Sequence, residues 1–294
     1  MAIIKLKEVS KLYGFGDATT VALEDIELSV SKGEFVAIMG PSGSGKSTLL
    51  NIIGLLDRPT HGLYQLEGRS VEKLKPNTRA RARRDKIGFV FQSFSLLPKL
   101  RVIDNIALPL AYRGRTIGRR LKIAHNMLDR VGLSDRAYFF PHQISGGQAQ
   151  RTAIARALIN DPKIIIADEP TGNLDSASSR MVMELLSEIH KMGNTVLMVT
   201  HNPELTRYAS RVLYMFDGSI VRDVQKSIGR KARGPAEEDL FAPEGSEEDA
   251  LQSVSAVMTL SEEKEKSSGP KDKKPKKSSK SGKLVRRKTK KDKK

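Results

Sequence analysis

A short glycine-rich segment constrains the fold of this chain more than any other feature of its sequence. Residues 40–48 read GPSGSGKST, which fits the pattern G-x-x-x-x-G-K-[ST]. An apolar run at residues 34–39 precedes the segment and a helical pattern follows it, which is the strand–loop–helix context that the pattern requires. In such loops, backbone N–H groups wrap phosphates, the lysine neutralises charge and the hydroxyl ligates Mg²⁺. The sequence therefore predicts a nucleotide site in which Lys46 and Ser47 have these roles, and the matching flanks disfavour a merely flexible loop.

The periodicity elsewhere in the chain indicates a mixed sheet with a helical insert. Apolar runs at residues 163–167, 195–200 and 212–216 are rich in β-branched residues, which is typical of buried parallel strands. Residues 98–160 read as mainly helical, whereas the two N-terminal strands and residues 62–68 read as antiparallel pieces. We therefore expect an α/β fold with an antiparallel β edge sheet and an α-helical subdomain.

The net positive charge of the chain is concentrated in residues 264–294. The 294 residues carry a net charge of +17, and residues 264–294 alone hold 16 basic and 3 acidic residues. The apolar pattern ends near residue 225, so residues 1–225 are predicted to form the folded domain and residues 226–294 a low-complexity, disordered tail. The absence of cysteine excludes disulfides and thiolate sites. No apolar run approaches the roughly 18 residues that span a bilayer, so a membrane role needs a separate membrane partner.

Two acidic residues follow one of the predicted buried strands. Asp168 and Glu169 end the run KIIIADE at residues 163–169, and ligand sites of parallel sheets lie at the carboxyl ends of the strands. Successive strand residues point to opposite sides, so we assign Asp168 to Mg²⁺ and Glu169 to orienting or deprotonating the attacking water. The alternative is a solvated strand end, which the phosphate loop disfavours.

Three further side chains are candidates that the residues alone leave open. His201 follows the run at residues 195–200 and would sense a γ-phosphate, although a structural histidine fits equally well. Gln92 follows the run FVF and would touch Mg²⁺ or water, although a lone glutamine usually has no such role. Tyr13 lies in a turn-like stretch with Gly14 and Gly16, where it would stack on a base or serve as a hairpin aromatic.

A second glycine-rich segment, QISGGQAQR at residues 143–151, has the features of an anion site at a helix N-terminus. Ser145 is a good N-cap, Gly146 and Gly147 leave the backbone bare, and a helical run follows. The N–H groups and the dipole at such an end favour a negatively charged ligand. The chain thus contains two segments that are suited to phosphate.

Six motifs in their order and spacing over residues 1–225 resemble those of the ATP-binding subunits of ABC transporters. They are GPSGSGKST at 40–48, Gln92 after GFVF, ISGGQ at 144–148, IIIADEP at 164–170, NLDS at 173–176 and His201 after LMVT. The resemblance implies a P-loop NTPase fold with a RecA-like core that binds ATP with Mg²⁺ and hydrolyses the ATP to ADP and phosphate.

The resemblance also implies a role for each matching position. Tyr13 would stack on adenine, and Gln92 would contact Mg²⁺ and couple the nucleotide to the membrane partner. Glu169 would be the catalytic base, with His201 holding the γ-phosphate and the water. The implied phosphate-binding positions of the first loop are Gly40, Ser42, Gly43, Ser44, Gly45, Lys46, Ser47 and Thr48. The positions implied to meet ATP across a head-to-tail homodimer are Ser145, Gly146, Gly147, Gln148 and Asp175.

A narrower branch of the family is indicated by GLLDRPTHG after the phosphate loop, SLLPKL after Gln92 and the pair Gly172-Asn173. Members of that branch serve lipoprotein release, macrolide or peptide export and cell division, and they pair with FtsX-like permeases that use ATP mechanically. The resemblance therefore implies a peripheral protein at the cytoplasmic face of the cell membrane, with an integral permease as partner. Two departures, Ile144 for a usual Leu and Ala149 for a polar residue, leave the predicted helix intact.

Two other functions compete with transport. A soluble ABC-type ATPase acting on ribosomes or nucleic acid would use the basic tail, since such tails bind phosphate backbones. Proteins of that kind usually carry two cassettes or a long coiled-coil insert, and this tail lacks interleaved aromatic residues, so nucleic acid is not the expected partner. A P-loop kinase leaves ISGGQ and NLDS unexplained. The tail is assigned either to a solvated extension or to contact with anionic lipid headgroups.

Overall fold

The computed structural model describes residues 1–14 and 19–226. The chain divides into two units, Met1–Val254 and Ser255–Lys294, and the second lies wholly outside the described residues. The predicted disordered tail, with its basic part, also lies outside the described residues, as does Gly16 beside Tyr13.

The described residues contain ten strands and six α-helices. The strands are β1 (Ala2–Tyr13), β2 (Thr20–Ser31), β3 (Phe35–Met39), β4 (His61–Leu66), β5 (Arg69–Ser70), β6 (Ile87–Val90), β7 (Ile164–Asp168), β8 (Thr195–Val199), β9 (Arg211–Phe216) and β10 (Ser219–Gln225). The helices are α1 (Lys46–Ile53), α2 (Pro76–Lys86), α3 (Val102–Ala111), α4 (Ile117–Arg130), α5 (Gly146–Leu158) and α6 (Ser176–Lys191).

A six-stranded sheet with the order β10-β9-β3-β8-β7-β6 forms the centre of the fold. Strands β9, β3, β8, β7 and β6 run parallel, and β10 pairs antiparallel with β9. β3 and β8 are buried along their whole length, which explains why their sequences are continuous apolar runs. Because parallel strands end at the same edge, the phosphate loop, Gln92, the two carboxylates and His201 follow strands that end side by side.

A four-stranded antiparallel sheet with the order β2-β1-β4-β5 shares one core with α1 and one face of the six-stranded sheet. In β1, Ile4, Leu6 and Val9 are buried in that core. Gly62 of β4 permits a close approach to β1, since a Cβ at that position would lie 2.1 Å from the carbonyl oxygen of Glu8. Tyr13 is the last residue of β1 and pairs with Thr20 at the end of the β1–β2 hairpin, as the interpretation of a hairpin aromatic predicted.

The helices α3, α4 and α5 form the predicted helical subdomain around a core of their own. Val102, Ile106 and Leu128 are fully buried in it. α5 also places Ile154 and Ala157 in the core on the other face of the six-stranded sheet, so this helix joins the subdomain to the sheet. Among the helices of the described ranges, none combines the length and apolarity needed to cross a bilayer.

Two features of the sheet differ from the sequence expectation. β10 was missed because it mixes apolar and charged residues and pairs on one side only, whereas the other sheet strands were sought as apolar runs. β7 ends at Asp168, and Glu169 follows it in a left-handed conformation with φ 46°. The separation of the two carboxylates therefore arises at a turn as well as from the pleat of the strand.

Candidate nucleotide site

The loop between β3 and α1 turns through glycines that have left-handed backbone angles. Gly43 has φ 82° and Gly45 has φ 93°. Gly45 is also packed tightly, because a Cβ there would lie 2.5 Å from the carbonyl oxygen of Ala22. Gly45 is the N-cap of α1 and no side chain caps the helix, so the first N–H groups of α1 are free to bind an anion.

Lys46 lies folded over its own loop. Its Nζ donates to the carbonyl oxygens of Gly40, at 2.8 Å, and Pro41, at 2.5 Å. Burial lowers the pKa of the Lys46 ammonium, and the charges of Glu169 and Asp168 oppose that shift. A partly desolvated cation with weak carbonyl partners favours exchange of those partners for phosphate oxygens.

The loop opens onto a cleft of about 430 Å³ at the carboxyl edge of the parallel sheet. Half of the residues predicted for the site line this one cleft. They are Ser42, Gly43, Gly45, Lys46, Ser47, Thr48, Gln92, Asp168 and Glu169.

Asp168 and Glu169 contribute like charges to the same cleft. Burial raises the pKa of the Asp168 carboxyl, the charge of Glu169 raises it further, and Lys46 opposes both effects. A bound cation would relieve this repulsion. The donors beside it are the Ser47 hydroxyl, the Asp168 carboxylate and the Gln92 amide oxygen, an all-oxygen set that suits Mg²⁺.

Glu169 is oriented by a histidine. The Nδ1 atom of His201 lies 2.9 Å from a carboxylate oxygen of Glu169, and the side chains are 69% and 17% exposed, respectively. The backbone N–H of Glu169 donates to Val199 O at 3.0 Å, which ties the turn to the end of β8. Glu169 is therefore a largely buried carboxylate held at the cleft by an exposed imidazole.

Gln92 is tied to the segment that follows Glu169. The side chain of Asn173 donates to the carbonyl oxygen of Gln92 at 3.1 Å. A Cβ at Gly172 would lie 2.8 Å from the Gln92 Nε2 atom, so the glycine makes room for the amide. The GN pair recognised in the sequence therefore has a structural reason, which is to pack against Gln92.

Tyr13 is positioned by two residues that the sequence reasoning missed. Its hydroxyl donates to Asp57 at 2.9 Å, and Nζ of Lys11 lies 4.8 Å from the ring centroid. Lys11 also pairs with Asp57 at 2.9 Å. Burial would raise the pKa of Asp57, but hydrogen bonds from Lys11, Arg58 and Tyr13 outweigh it and lower that pKa. The available signal was Asp57 itself, within the quoted segment GLLDRPTHG.

The second glycine-rich segment lies apart from this cleft, and among the described residues neither Ser145 nor Asp175 lines it. Ser145 caps α5 as predicted, with its Oγ accepting from the Gln148 N–H and its own N–H donating to the Gln148 side chain. Asp175 caps α6 by accepting from the N–H and the hydroxyl of Ser178, and these hydrogen bonds lower the pKa of Asp175.

The two glycines of this segment differ in their surroundings. Gly146 is exposed, whereas Gly147 is buried against α6, where a Cβ would lie 2.5 Å from the Ser178 Oγ. Gly147 therefore joins the N-termini of α5 and α6, a packing role that the sequence did not indicate.

The family described as ABC transporter matches residues 23–172. An uncharacterized ABC transporter ATP-binding protein of Methanocaldococcus jannaschii is 51% identical over 224 residues, which cover 76% of this chain and 100% of that protein. The chain belongs to the ABC transporter family.

Two further comparisons place the chain within that family. The macrolide export ATP-binding/permease protein MacB of Hyphomonas neptunium is 45% identical over 75% of this chain, which spans only 34% of the length of MacB. A dimeric ATP-binding cassette, solved in a post-hydrolysis state with ADP and Pi, is 44% identical with a TM-score of 0.71, covering 76% of this chain and 98% of that one.

The ABC transporter assignment confirms the predicted fold class and the predicted activity. The chain is an ATP-binding subunit with the ABC ATPase fold, and it hydrolyses ATP. The relatives of the MacB type agree with the branch that the sequence indicated. The alternatives of a kinase and of a soluble ATPase acting on nucleic acid are not favoured.

Proposed function

We propose that two copies of this chain close head to tail on ATP and drive a separate FtsX-like permease, in export, lipoprotein release or mechanotransmission. The observation that carries the proposal is the placement of two phosphate-binding features in one chain. Lys46 and Glu169 share a cleft, whereas Ser145 and Gly146 are exposed at a helix N-terminus outside it. A second copy brings that helix end to the γ-phosphate, and Asp175 beside it supports the opposite site.

Hydrolysis follows from the residues of the cleft. Lys46 exchanges its loop carbonyls for the β- and γ-phosphate oxygens, and Tyr13 stacks on the adenine. Glu169, held by His201, accepts a proton from the water whose oxygen attacks the γ-phosphorus in line, while the bond to the β–γ bridging oxygen breaks. Mg²⁺, held by Ser47, Asp168 and Gln92, would neutralise charge on the phosphate oxygens.

A groove of about 590 Å³ beside the Gln92 loop supports contact with a permease. Its floor is apolar and includes Phe89, Phe91 and Leu108, while arginines of α2 stand at the same groove. These arginines are Arg81, Arg83 and Arg84. An amphipathic permease segment with apolar anchors and acidic flanks fits such a surface.

The proposal places the chain peripherally at the cytoplasmic face of the cell membrane. The name of MacB joins ATP-binding and permease functions in one protein, and this chain spans about a third of the length of MacB, which supports a permease as the partner. The tail at residues 264–294 would add attraction to anionic lipid, worth about 1 kcal/mol for each Lys or Arg near the surface.

A pair of variants tests the proposed cycle. Glu169→Gln should bind ATP, hydrolyse it at least about a hundredfold more slowly and accumulate as an ATP-bound dimer, because only the proton acceptor is lost. Ser145→Arg should bind ATP with unchanged affinity and neither dimerise nor turn over, because a bulky side chain stands where the partner's phosphate must approach. Nucleotide titration, phosphate release and light scattering measure these outcomes.

Ser134→Arg is the matched control, since Ser134 is an exposed serine of the same helical subdomain whose hydroxyl bonds Asp129 of α4. A wild-type rate in Glu169→Gln would remove Glu169 as the base. Loss of ATP binding in Ser145→Arg would place Ser145 in the site of its own chain.

A further inference from the structure

The loop that follows Gln92 has an unusual backbone. Phe94 and Ser95 have φ 60° and 48°, left-handed values that are rare for residues with side chains. Two successive residues in this conformation raise the free energy of the folded state. They persist only where the surrounding structure holds them in place. The hydrogen-bond partner of their carbonyl oxygens identifies the residue that holds them.

Both carbonyls accept from one arginine of α5. Arg156 donates from Nη1 to Ser95 O at 2.6 Å and from Nη2 to Phe94 O at 2.9 Å. No carboxylate pairs with Arg156 among the ion pairs of the described residues, and burial lowers the pKa of its guanidinium. A desolvated cation whose partners are two loop carbonyls stabilises the loop geometry in which those carbonyls converge.

The same loop touches the other end of α5. A Cβ built on Gly146 would lie 3.6 Å from the Phe94 ring. Gly146 and Arg156 are ten residues apart on the helix, which corresponds to about 15 Å along its axis. The Gln92 loop, residues 91–101, is thus connected to α5, the signature helix that begins in the segment ISGGQ, at its exposed N-terminus and near its C-terminus.

Other elements hold the two ends of the loop. Asn105 of α3, which is fully buried, exchanges two hydrogen bonds with the backbone of Leu97 at 2.8 and 3.1 Å. At the start of the loop, Asn173 donates to the carbonyl oxygen of Gln92. Between these anchors, Arg156 bonds the two residues with left-handed backbones.

We propose that Arg156 is a positioning residue that locks the Gln92 loop to the signature helix, so that Gln92 and Ser145 move as one body. The inference rests on the proposed roles of Gln92 at its own nucleotide and of Ser145 at the partner's nucleotide. Arg156 also lines the groove together with Ser95, so the lock stands where a permease segment would press. Nucleotide state in one site thereby reaches the helix that completes the other.

A fluorescent reporter makes the test specific, because the chain has no tryptophan. Ser93→Trp places a single indole at an exposed position of the loop. The reporter variant is used after its ATPase activity has been shown to equal that of the wild type. In this background Arg156→Met should leave the affinity for ATP within about twofold. It should abolish the emission change on ATP binding and lower kcat at least about tenfold, because the loop no longer follows the helix.

Arg156→Lys should rescue little, since an ammonium lacks the planar fork that meets two carbonyls at once. Arg151→Lys is the matched control on the same helix, where the side chain lies 3.4 Å from the Met181 sulfur and meets no loop carbonyl. It should keep the emission change and kcat.

Three results would overturn the lock. They are an unchanged emission response in Arg156→Met, a full rescue by lysine, or an equal loss in Arg151→Lys. Gln92→Ala separates this inference from the proposed function: if that variant hydrolyses ATP at the wild-type rate, the role of Gln92 fails. An effect of Arg156→Met on the reporter would then still show that the lock exists.

Discussion

At the scale of single residues, backbone geometry gives two neighbouring carboxylates different partners. Asp168 ends β7 and Glu169 follows at φ 46°, and only Glu169 meets His201. Both residue types were recognisable in the sequence, as was their position at a strand end. The turn was not, because an Asp-Glu pair carries no local signal for a left-handed residue.

Gly146 and Gly147 are also neighbours in different surroundings, because only Gly147 is packed against α6. This difference yields a prediction. Gly147→Ala should destabilise the fold by about 1–3 kcal/mol, because its Cβ would lie 2.5 Å from the Ser178 Oγ and 2.8 Å from its Cβ. Gly146→Ala should leave stability unchanged, because its nearest contact would be an ordinary one of 3.4 Å. Urea unfolding of the two variants gives the comparison, and equal losses would contradict the packing role of Gly147.

At the scale of elements, the sequence was most informative where one element alone determines the pattern. The apolar runs of β3, β7 and β8 identified a parallel sheet, because strands buried on both faces have no alternation. The cap of α5 was equally predictable, since Ser145 and Gln148 have the three-residue spacing of a capping box. Contacts between elements could not be predicted from the sequence, because Lys11, Asp57 and Arg156 contact residues that are distant in sequence.

One such contact joins α2 to the chain after α3 and makes stability depend on pH. Asp85 receives hydrogen bonds from Arg84 at 2.8 Å and from Arg113 at 3.0 Å. The bonds from Arg84 lower the pKa of the Asp85 carboxyl, burial opposes them, and Arg113 adds to the lowering. A lowered carboxyl pKa contributes stability above the ordinary value near 3.9, and that stability is lost as pH falls through the folded value.

We therefore expect Asp85→Asn to reduce the free energy of unfolding by a constant amount above about pH 5. The difference from wild type should shrink below about pH 4, where the native carboxyl also becomes protonated. Urea unfolding from pH 7 to pH 3 measures both ranges, with Arg113→Met as a second variant that should weaken the same dependence. A difference that grows towards low pH would reverse the sign and refute the role of the pair.

At the scale of the whole molecule, the described residues close the fold. β10 completes the six-stranded sheet, and directly after it the backbone N–H of Lys226 donates to Ser210 O at 2.9 Å. Both sheets and the helical subdomain have their cores within residues 1–226. The later residues include the basic segment 264–294 and were assigned from composition alone.

Truncation after Lys226 tests that assignment. The shortened chain should retain the melting temperature and the ATPase rate of the full chain, because residues 1–226 build cores for both sheets and for the helical subdomain. It should lose binding to vesicles of anionic lipid at low salt, which the full chain should show and neutral vesicles should not support. A large fall in melting temperature would assign the tail to the fold, and unchanged vesicle binding would exclude the tail as a lipid contact.

The two sheets have a consequence for how the protein responds to its substrate. Tyr13 ends β1 of the antiparallel sheet, whereas Lys46 follows β3 of the parallel sheet, with α1 packed between them. A nucleotide whose base stacks on Tyr13 and whose phosphates bind Lys46 bridges the two sheets and stabilises their boundary. Tripolyphosphate has no base and would bind only on the side of Lys46. It should therefore raise the melting temperature of the protein less than ATP does.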